Sequence, residues 1–521
     1  RKIARHRHPR RYFESGLIMN ALEQLKNHLA EIDDLKNAAG VLGWDQQTYM
    51  PSGGGEARSH AIGTLSRLSH EKFASDETAR LLDEAEKTIQ NLANDSDEAC
   101  LVRMTRRDYE KSRKLPDEFV AAWSRDAILS NEVWRHARGA NDFAAFQPHL
   151  EKMLDYARRQ ADYYGFEKHP YDALLDDYEP ELKTEEVRVI FAELRAKQVP
   201  LVQKLAAQEA PRDDFLNRDY APEKQGAIGM RIVEKFGYDT QRGRLDIAPH
   251  PFCTNFGRND VRITTRYRND QPAQAIFGIF HEAGHALYEQ NTAPSLSRTP
   301  LASGASMVFH ESQSRLWENV VGRSLALWQH FWPQMQEAFP ENLGDVSPEE
   351  WHRAINRVSP SLIRVEADEV TYNLHIMLRF ELEVALVARE LEVKDLPEAW
   401  RAKMQEFFDV VPSDDKDGVM QDTHWSSGSF GYFPTYALGN LMASQIWDKA
   451  TGAHPEIEDD IAQGEFGTLK NWLTENLYQH GRKFLPPELA LRVTGQPLQA
   501  APYLRYLSGK YENLYGIQNA K

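Results

Sequence analysis

The segment His281-Glu282-Ala283-Gly284-His285 matches the metal-binding pattern H-E-x-x-H within an apolar, helix-forming stretch. Histidines four residues apart lie on one face of an α-helix, about 6 Å from each other, which suits two ligands of one tetrahedral ion. The glutamate between them can take a proton from a metal-bound water. The pattern arises by chance in roughly a few per cent of chains of this length. The surrounding sequence therefore has to decide between a metal site and an exposed helix.

The residues around this segment favour a buried metal site. Asp270 is predicted to cap the helix, and Pro272 suits its first turn. Histidines and a glutamate inside an apolar helix are costly unless a metal or hydrogen bonds satisfy them. We therefore predict one zinc ion per chain, which Co²⁺ could replace. The apolar positions are Ile276, Phe277, Ile279, Phe280, Ala283, Ala286 and Leu287.

The third protein ligand has two candidates. A third histidine of the metzincin type is excluded, because Tyr288 and Asn291 stand where that class has glycine and histidine. Glu311 opens a later helical stretch, far enough along the chain for an antiparallel return, and would complete a His₂Glu site with one open position. The rival is Glu289, which lies further along the first helix and is predicted to be out of reach.

Short motifs recur in a fixed order along the chain. Together they resemble the carboxypeptidase Taq family of zinc metallocarboxypeptidases over about residues 19–515. The resemblance implies a mostly helical, saddle-shaped homodimer that removes C-terminal residues from peptides, with Glu311 as third ligand. The motifs are residues 44–51, 250–252, 260–264 (D-x-R-x-T), 281–285, 310–313 (H-E-S-Q), 363–368 (I-R-x-x-A-D) and 418–425 (G-x-x-Q-D-x-H-W).

The predicted fold class is mainly α: a large, saddle-like helical metallopeptidase with a deep cleft and a small β-sheet next to the zinc helix. Residues 261–268 alternate with period two and predict a strand, which residues 252–256 join as a hairpin. An edge strand there could bind an extended peptide. Apolar residues recur at helical spacing from Leu22 to Ile32 and in about 97–164, 184–208, 310–336, 362–394 and 434–449.

Composition excludes several classes of partner. The chain has 62 basic and 78 acidic residues and a net charge of −16, which argues against nucleic acid. No stretch approaches the ~20 apolar residues of a membrane span. Cys100 and Cys253 are predicted to be free thiols, as in a reducing compartment, so we expect a cytoplasmic protein.

The chain is predicted to contain a single catalytic domain, residues 19–521. Residues 1–18 are basic and lack the apolar core of a signal peptide. We expect them to be a leader or an added extension without stable structure. A nucleic-acid arm or an organelle-targeting peptide are the alternatives.

Two arginines within the family motifs are candidates for binding a free C-terminal carboxylate. A guanidinium donates two parallel hydrogen bonds to such a group. Arg364 and Arg262 are the candidates. The alternatives are structural: Arg364 could pair with Asp368 on its own helix, and a strand arginine often pairs with a neighbouring carboxylate.

His424, Tyr432 and Tyr436 form a last group of candidate site residues. Their layout resembles that of the dipeptidyl carboxypeptidase called angiotensin-converting enzyme. By that likeness His424 and Tyr436 donate to the oxyanion of the tetrahedral intermediate, and Tyr432 contacts the terminal end of the substrate. The alternative for each tyrosine is a half-buried packing role.

The predicted function is zinc-dependent release of C-terminal amino acids from peptides with broad specificity. A metal-activated water attacks the last peptide carbonyl, with Glu282 as general base and then as acid toward the leaving amine. Two rivals stay open. A zinc aminopeptidase would use the same metal chemistry, although the G-A-M-E-N motif of one such family is absent. A helical scaffold with a structural metal would need a fourth ligand.

Overall fold

The computed structural model describes residues 20–517, so the expectation for residues 1–18 lies outside the described residues. Within this range the chain is mainly α-helical with a small three-stranded sheet, as predicted. The helices are α1 (Ala21–Thr48), α2 (Gly55–Phe73), α3 (Asp76–Ile89), α4 (Asp97–Ser112), α5 (Asp117–Ala140), α6 (Phe143–Tyr164), α7 (Pro170–Leu175), α8 (Thr184–Ala206), α9 (Pro222–Phe236), α10 (Pro272–Gln290), α11 (Met307–Arg315), α12 (Leu325–Ala338), α13 (Pro340–Leu343), α14 (Pro348–Ile355), α15 (Tyr372–Val387), α16 (Leu396–Phe408), α17 (Pro434–Ala453), α18 (Ile457–Ala462), α19 (Gly467–Asn476), α20 (Pro486–Thr494) and α21 (Ala501–Leu514).

Local capping residues set the helix boundaries within about 97–164, where the sequence shows a helical pattern. The side chain of Ser96 accepts a hydrogen bond from Ala99 N at the start of α4. Asn141 ends α5 in the left-handed conformation with φ of 55°, and Asp142 caps α6. These are the residue types that favour helix ends over helix interiors. α4 and α6 bury residues in the main core, whereas Phe119 of α5 packs with Met153 and Tyr156 of α6 in a smaller cluster.

The prediction of a helix over 362–394 is wrong at its beginning. Residues 364–366 form a short 3₁₀ turn, and α15 starts only at Tyr372. The cause is Asp368, whose carboxylate accepts hydrogen bonds from the backbone N–H groups of Ser359, Val370 and Thr371. An aspartate that bonds local backbone in this way offers it an alternative to the helix. Arg364 and Asp368 therefore do not share a helix face.

The predicted hairpin is present, and the sheet has one strand that sequence analysis missed. The strands are β1 (Leu245–Ile247), β2 (Cys253–Asn255) and β3 (Val261–Thr265), in the order β1-β3-β2. β2 pairs antiparallel with β3, whereas β1 pairs with it in parallel. β1 is too short to show an alternating pattern. β3 ends three residues before the predicted strand does, and it packs against α10.

The start of α10 differs from the prediction in one residue. Pro272 occupies the first turn as expected, but the N-cap is Gln271, which makes no side-chain capping bond. Asp270 instead accepts hydrogen bonds from Arg268. A guanidinium within reach competes with the backbone N–H groups for the same carboxylate, because charge-assisted hydrogen bonds are stronger than neutral ones.

Two glycines bring α11 into close contact with α10 on one side and α17 on the other. A Cβ atom at Gly284 of α10 would lie 2.5 Å from the carbonyl oxygen of Gln313. A Cβ atom at Gly439 of α17 would lie 2.6 Å from Cγ of Glu311. Both distances are shorter than any ordinary carbon contact. The position of α11, and with it Glu311, thus depends on the absence of these two side chains.

The remaining features concern cysteines and membranes. Cys100 and Cys253 are both free, as predicted. Among residues 20–517, no helix combines the length and the apolar character that crossing a membrane requires.

We expect Gly439→Ala to destabilise the protein. Overpacking of a well-packed core costs about 1–3 kcal/mol of unfolding free energy. The matched control is Gly452→Ala on the same helix, where a Cβ meets nothing within 4 Å, and a gain of about 0.4–1 kcal/mol is expected. Urea unfolding followed by circular dichroism measures both. Equal stability of the two variants would show that the contact between α17 and α11 tolerates the added methyl group without loss of unfolding free energy.

Candidate active site

Three side chains from two helices meet at one point. His281 and His285 of α10 direct their Nε2 atoms toward Oε2 of Glu311 on α11, at 3.7 and 3.6 Å. One ligand atom from each residue lies within 4.8 Å of the other two. Ligands bound at about 2.0–2.2 Å in tetrahedral geometry lie about 3.3–3.6 Å apart. The two imidazoles and the carboxylate therefore fit a single metal ion of this size.

Glu289, the rival third ligand, lies behind the cluster. Its Oε1 accepts hydrogen bonds from His310 Nε2 at 2.7 Å and from Gly304 N at 3.1 Å. The Nδ1 atoms of His310 and His285 are 2.7 Å apart. If His285 Nδ1–H donates to His310, His310 donates from Nε2 to Glu289, and Nε2 of His285 keeps a free lone pair for the metal. Glu289 thus contacts His310 and lies outside the group of His281, His285 and Glu311 that could hold a metal ion.

The other histidine is oriented directly by a carboxylate. His281 Nδ1 donates to Glu318 Oε2 at 2.9 Å, so its Nε2 is also available to a metal. Glu318 lies in the π-helical segment Leu316–Val321 that continues α11. Burial by itself would raise the pKa of Glu318, but the Arg315 guanidinium holds the pKa well below its usual range. Glu318 is therefore a permanent anion behind His281.

Arg315 contacts both Glu311 and Glu318, the carboxylate that accepts from His281. Its Nε donates to Glu311 Oε1 at 2.7 Å, and its Nη1 donates to Glu318 Oε2 at 3.2 Å. The contacts close a ring from Glu311 through Arg315 and Glu318 to His281. Arg315 and Glu318 are not among the site residues predicted from the sequence. Their signal was present as charged residues at helical spacing from Glu311 within an apolar segment.

Glu282 lies between the two histidines and is 6% exposed. Burial raises the pKa of its carboxyl to about 7; His281 opposes the shift, and the carboxylates of Glu311 and Glu318 add to it. A carboxyl group with this pKa exchanges protons readily near neutrality.

Comparison with known proteins assigns the chain to a family. The profile of the family described as carboxypeptidase Taq (M32) metallopeptidase matches residues 24–511. The chain belongs to the carboxypeptidase Taq family. As a member it is an enzyme, a metallocarboxypeptidase that acts on peptides with a metal cofactor. The resemblance seen in the sequence motifs is thereby confirmed.

Individual relatives are similar over nearly their whole length. Carboxypeptidase 1 of Bacillus subtilis (strain 168) is 40% identical over 491 residues, which are 94% of this chain and 97% of that protein. Thermostable carboxypeptidase 1 of Thermus thermophilus is 41% identical over 506 residues, 95% of this chain and 99% of that protein. The crystal structure of an M32 carboxypeptidase from Deinococcus radiodurans R1 has 43% identity and a TM-score of 0.93, and the match covers 95% of this chain and all of that one.

Two motifs of the carboxypeptidase Taq family meet at Arg364. Its guanidinium donates from Nε and Nη2 to Asp422 Oδ1 at 3.0 and 2.7 Å, and from Nη1 to the Tyr372 hydroxyl at 2.9 Å. The expected alternative pairing with Asp368 is wrong, because Asp368 is occupied by backbone N–H groups. Arg379 also donates to Asp422, at 2.7 Å. Two buried guanidiniums share one carboxylate, which leaves one positive charge in excess.

Arg262 has a different environment. It donates from Nε and Nη2 to both oxygens of Asp260, at 2.7 and 2.8 Å. Its guanidinium also lies 4.2 Å from the centre of the Trp44 ring. The D-x-R-x-T motif is thus an internal ion pair, and its threonine, Thr264, accepts a hydrogen bond from Phe252 N of the neighbouring 250–252 motif. These contacts agree with the structural alternative for a strand arginine.

His424, Tyr432 and Tyr436 lie close together in the structure. His424 Nε2 and the Tyr436 hydroxyl are 3.2 Å apart, and the two tyrosine rings lie 5.1 Å apart. Burial lowers the pKa of His424 to about 4, so the ring is neutral. Burial raises the pKa of Tyr432 to about 12, with a further contribution from the negative charge of Glu311. Burial also raises the pKa of Tyr436 well above its usual value, so all three groups are neutral near pH 7, and the charge of Glu311 contributes to the pKa shifts of both tyrosines.

We expect Glu318→Gln to weaken metal binding. The amide keeps the size of the side chain but removes the charge that orients His281 and balances Arg315. Loss of such a partner costs about 10–100-fold in metal affinity. Competition with a chromophoric chelator measures the affinity, and Glu341→Gln, a change on α13 outside this network, is the control. Unchanged affinity in Glu318→Gln would mean that His281 needs no support from the carboxylate.

Proposed function

We propose that this enzyme is a zinc-dependent carboxypeptidase that releases C-terminal amino acids from peptides with broad specificity. The observation that carries the proposal is the convergence of His281, His285 and Glu311 beside the buried carboxyl of Glu282. We further propose a single catalytic domain over residues 19–521, a homodimeric assembly and a cytoplasmic location. The family resemblance supports the dimer, and the two free thiols support the location.

His281, His285 and Glu311 would hold the zinc ion. Two imidazoles and one carboxylate are a donor set of catalytic zinc sites, in which three protein ligands leave a position open. Co²⁺ could occupy the same site. When bound, zinc polarises the peptide carbonyl and lowers the pKa of a water molecule.

Glu282 moves the proton. Its carboxylate accepts a proton from the attacking water and delivers it to the nitrogen of the leaving amine. A pKa near 7 suits both directions of transfer, because neither form is strongly favoured. His424 and Tyr436 are neutral and can donate hydrogen bonds to the oxyanion that develops on the carbonyl oxygen.

Arg364 is the better candidate for the substrate carboxylate. Its group with Arg379 and Asp422 has one uncompensated positive charge, and Arg364 lies 5.0 Å from the centre of the Tyr436 ring. Arg262 is fully compensated by Asp260. A bound anion gains the most electrostatic free energy where the positive charge is buried and not yet balanced. Tyr432, which neighbours both His424 and Tyr436, would contact the terminal residue.

We expect Glu282→Gln to keep the metal and lose catalysis. The amide cannot accept the proton, so kcat should fall by about 10²–10⁴, the range for loss of a general base. Metal content by atomic absorption and kcat on a blocked dipeptide are measured together. Wild-type activity at full metal content would remove Glu282 from the mechanism.

We expect the enzyme to cleave peptides with a free C-terminus and to ignore C-terminal amides. Without the substrate carboxylate, the excess positive charge of Arg364 and Arg379 over Asp422 stays unbalanced, and loss of such a buried charge partner costs about 2–5 kcal/mol of binding. The measurement is kcat/KM for one peptide in both terminal forms. Arg364→Ala should narrow the difference between the two forms, and Arg364→Lys should restore only part of it, since an ammonium cannot bind both oxygens at once.

Arg262→Ala is the matched control for this experiment. Because Arg262 is paired with Asp260, its loss should affect both peptide forms equally. The reverse result, a narrowed difference in Arg262→Ala and an equal loss in Arg364→Ala, would exchange the two roles. Blocking the amino terminus instead tests the rival: an aminopeptidase would stop, whereas a carboxypeptidase would continue.

A further inference from the structure

A buried carboxylate that the proposed mechanism does not use lies behind the segment that carries His424 and Tyr432. Glu383 of α15 is fully buried. It accepts hydrogen bonds from the Tyr171 hydroxyl at 2.5 Å, from Trp425 Nε1 at 2.6 Å and from Gly431 N at 3.1 Å. Charge-assisted bonds of this kind in a low-dielectric interior are strong and directional. Glu383 therefore connects three parts of the chain that meet behind the site.

Two of the three donors are neighbours of proposed functional residues. Trp425 follows His424 in the chain, and Gly431 precedes Tyr432. Gly431 has φ of 92°, and a Cβ atom there would lie 2.7 Å from the backbone carbonyl of Leu174 in α7. The backbone at Gly431 is thus confined by α7 on one side and by Glu383 on another. A shift of this segment would move the rings of His424 and Tyr432 together.

We propose that Glu383 is a positioning residue for the reaction, whose carboxylate holds segment 424–432 so that His424 and Tyr432 face the metal ligands. This inference rests on the proposed function, in which His424 and Tyr436 support the oxyanion. An ionised Glu383 accepts from all three donors. A neutral acid must donate from one oxygen, so one of the three contacts is lost or reversed.

The protonation state of Glu383 changes near neutral pH. Burial raises the pKa of Glu383 to about 7, against the opposing effect of its hydrogen-bond donors and of Arg379, one turn earlier on α15. Tyr171 and Tyr178 are other titratable groups close enough to interact with Glu383, and His424 precedes its hydrogen-bond donor Trp425 in the chain. Burial raises the pKa values of both tyrosines far above neutrality and lowers that of His424 to about 4. Above pH 7 the segment is held by three accepted bonds, and below pH 7 it is held less firmly.

Glu383→Gln imitates the neutral acid at every pH and is the principal test. The ratio of wild-type kcat to variant kcat is measured against pH, so that titrations common to both proteins cancel. We expect this ratio to rise as the pH increases through about 7 and to level off at about tenfold. That is less than the loss of about 10²–10³ in kcat on deleting an oxyanion donor. KM should change less than kcat, because the donors act on the transition state. A ratio that is constant with pH overturns the proposal.

Asp172→Asn is the matched control. Asp172 is a buried carboxylate next to Tyr171 on α7, but it accepts from Thr184 and does not touch segment 424–432. The ratio of wild-type kcat to that of Asp172→Asn should not vary with pH.

If Glu383→Gln does not fold, Tyr171→Phe tests the positioning role of Glu383 instead. Removal of that donor destabilises the carboxylate, so the acidic limb of kcat should shift to higher pH, and an unshifted limb overturns the proposal.

Tyr436→Phe separates this inference from the proposed function. If Tyr436→Phe is impaired and the Glu383→Gln ratio is flat, the oxyanion role stands and only the positioning role of Glu383 fails. If Tyr436→Phe and His424→Ala both keep wild-type kcat, the oxyanion role fails and the inference fails with it. If Glu383 acts through the segment, its substitution should cost less kcat in the Tyr436→Phe background than in the wild type.

Discussion

The candidate metal centre depends on one packing constraint: α11 has to pack closely against α10 and α17 at the same time. Glycine at 284 and at 439 removes the side chains that would hold these helices apart. Glu311 consequently reaches the two histidines with a side chain of only two methylene groups. Its carboxylate is buried, and burying a carboxylate is costly unless a cation or strong hydrogen-bond donors surround it. Most of the other features of the site follow from that requirement.

The buried charges around the site are arranged in partially compensated groups. Arg315 lies between Glu311 and Glu318 and is shared by both carboxylates. Asp422 lies between Arg364 and Arg379. Arg323 also donates to Glu318, so two guanidiniums face two carboxylates in the first group. The second group has an excess of positive charge and is therefore complementary to the substrate carboxylate that the proposed function assigns to it.

The family motifs correspond to these groups more than to individual catalytic residues. Gln421 accepts a hydrogen bond from the backbone N–H of Arg364, so the motif at 418–425 holds the motif at 363–368. Asp260 and Arg262 pair within a single motif. His310 supports His285, and Trp425 bonds to Glu383. Many motif residues thus hold neighbouring groups in place. Arg262 and Arg364 both lie in motifs, but Arg262 pairs with Asp260 alone, whereas Arg364 shares Asp422 with Arg379.

The sequence by itself determined the helical class, the hairpin before α10 and the pair of histidines on one helix face. Each depends on a local period, 3.6 residues for a helix and two for a strand, that is visible in a short window. Local competition also explains the errors: Asp368 bonds backbone N–H groups and delays α15, and β1 has too few residues to show a period. The tertiary structure alone decided the partners of the site residues. Arg364 pairs with Asp422, 58 residues away, and not with Asp368, four residues away. With 78 acidic residues in the chain, spacing cannot select that partner, because the choice follows from how the helices pack and from which carboxylates are already occupied.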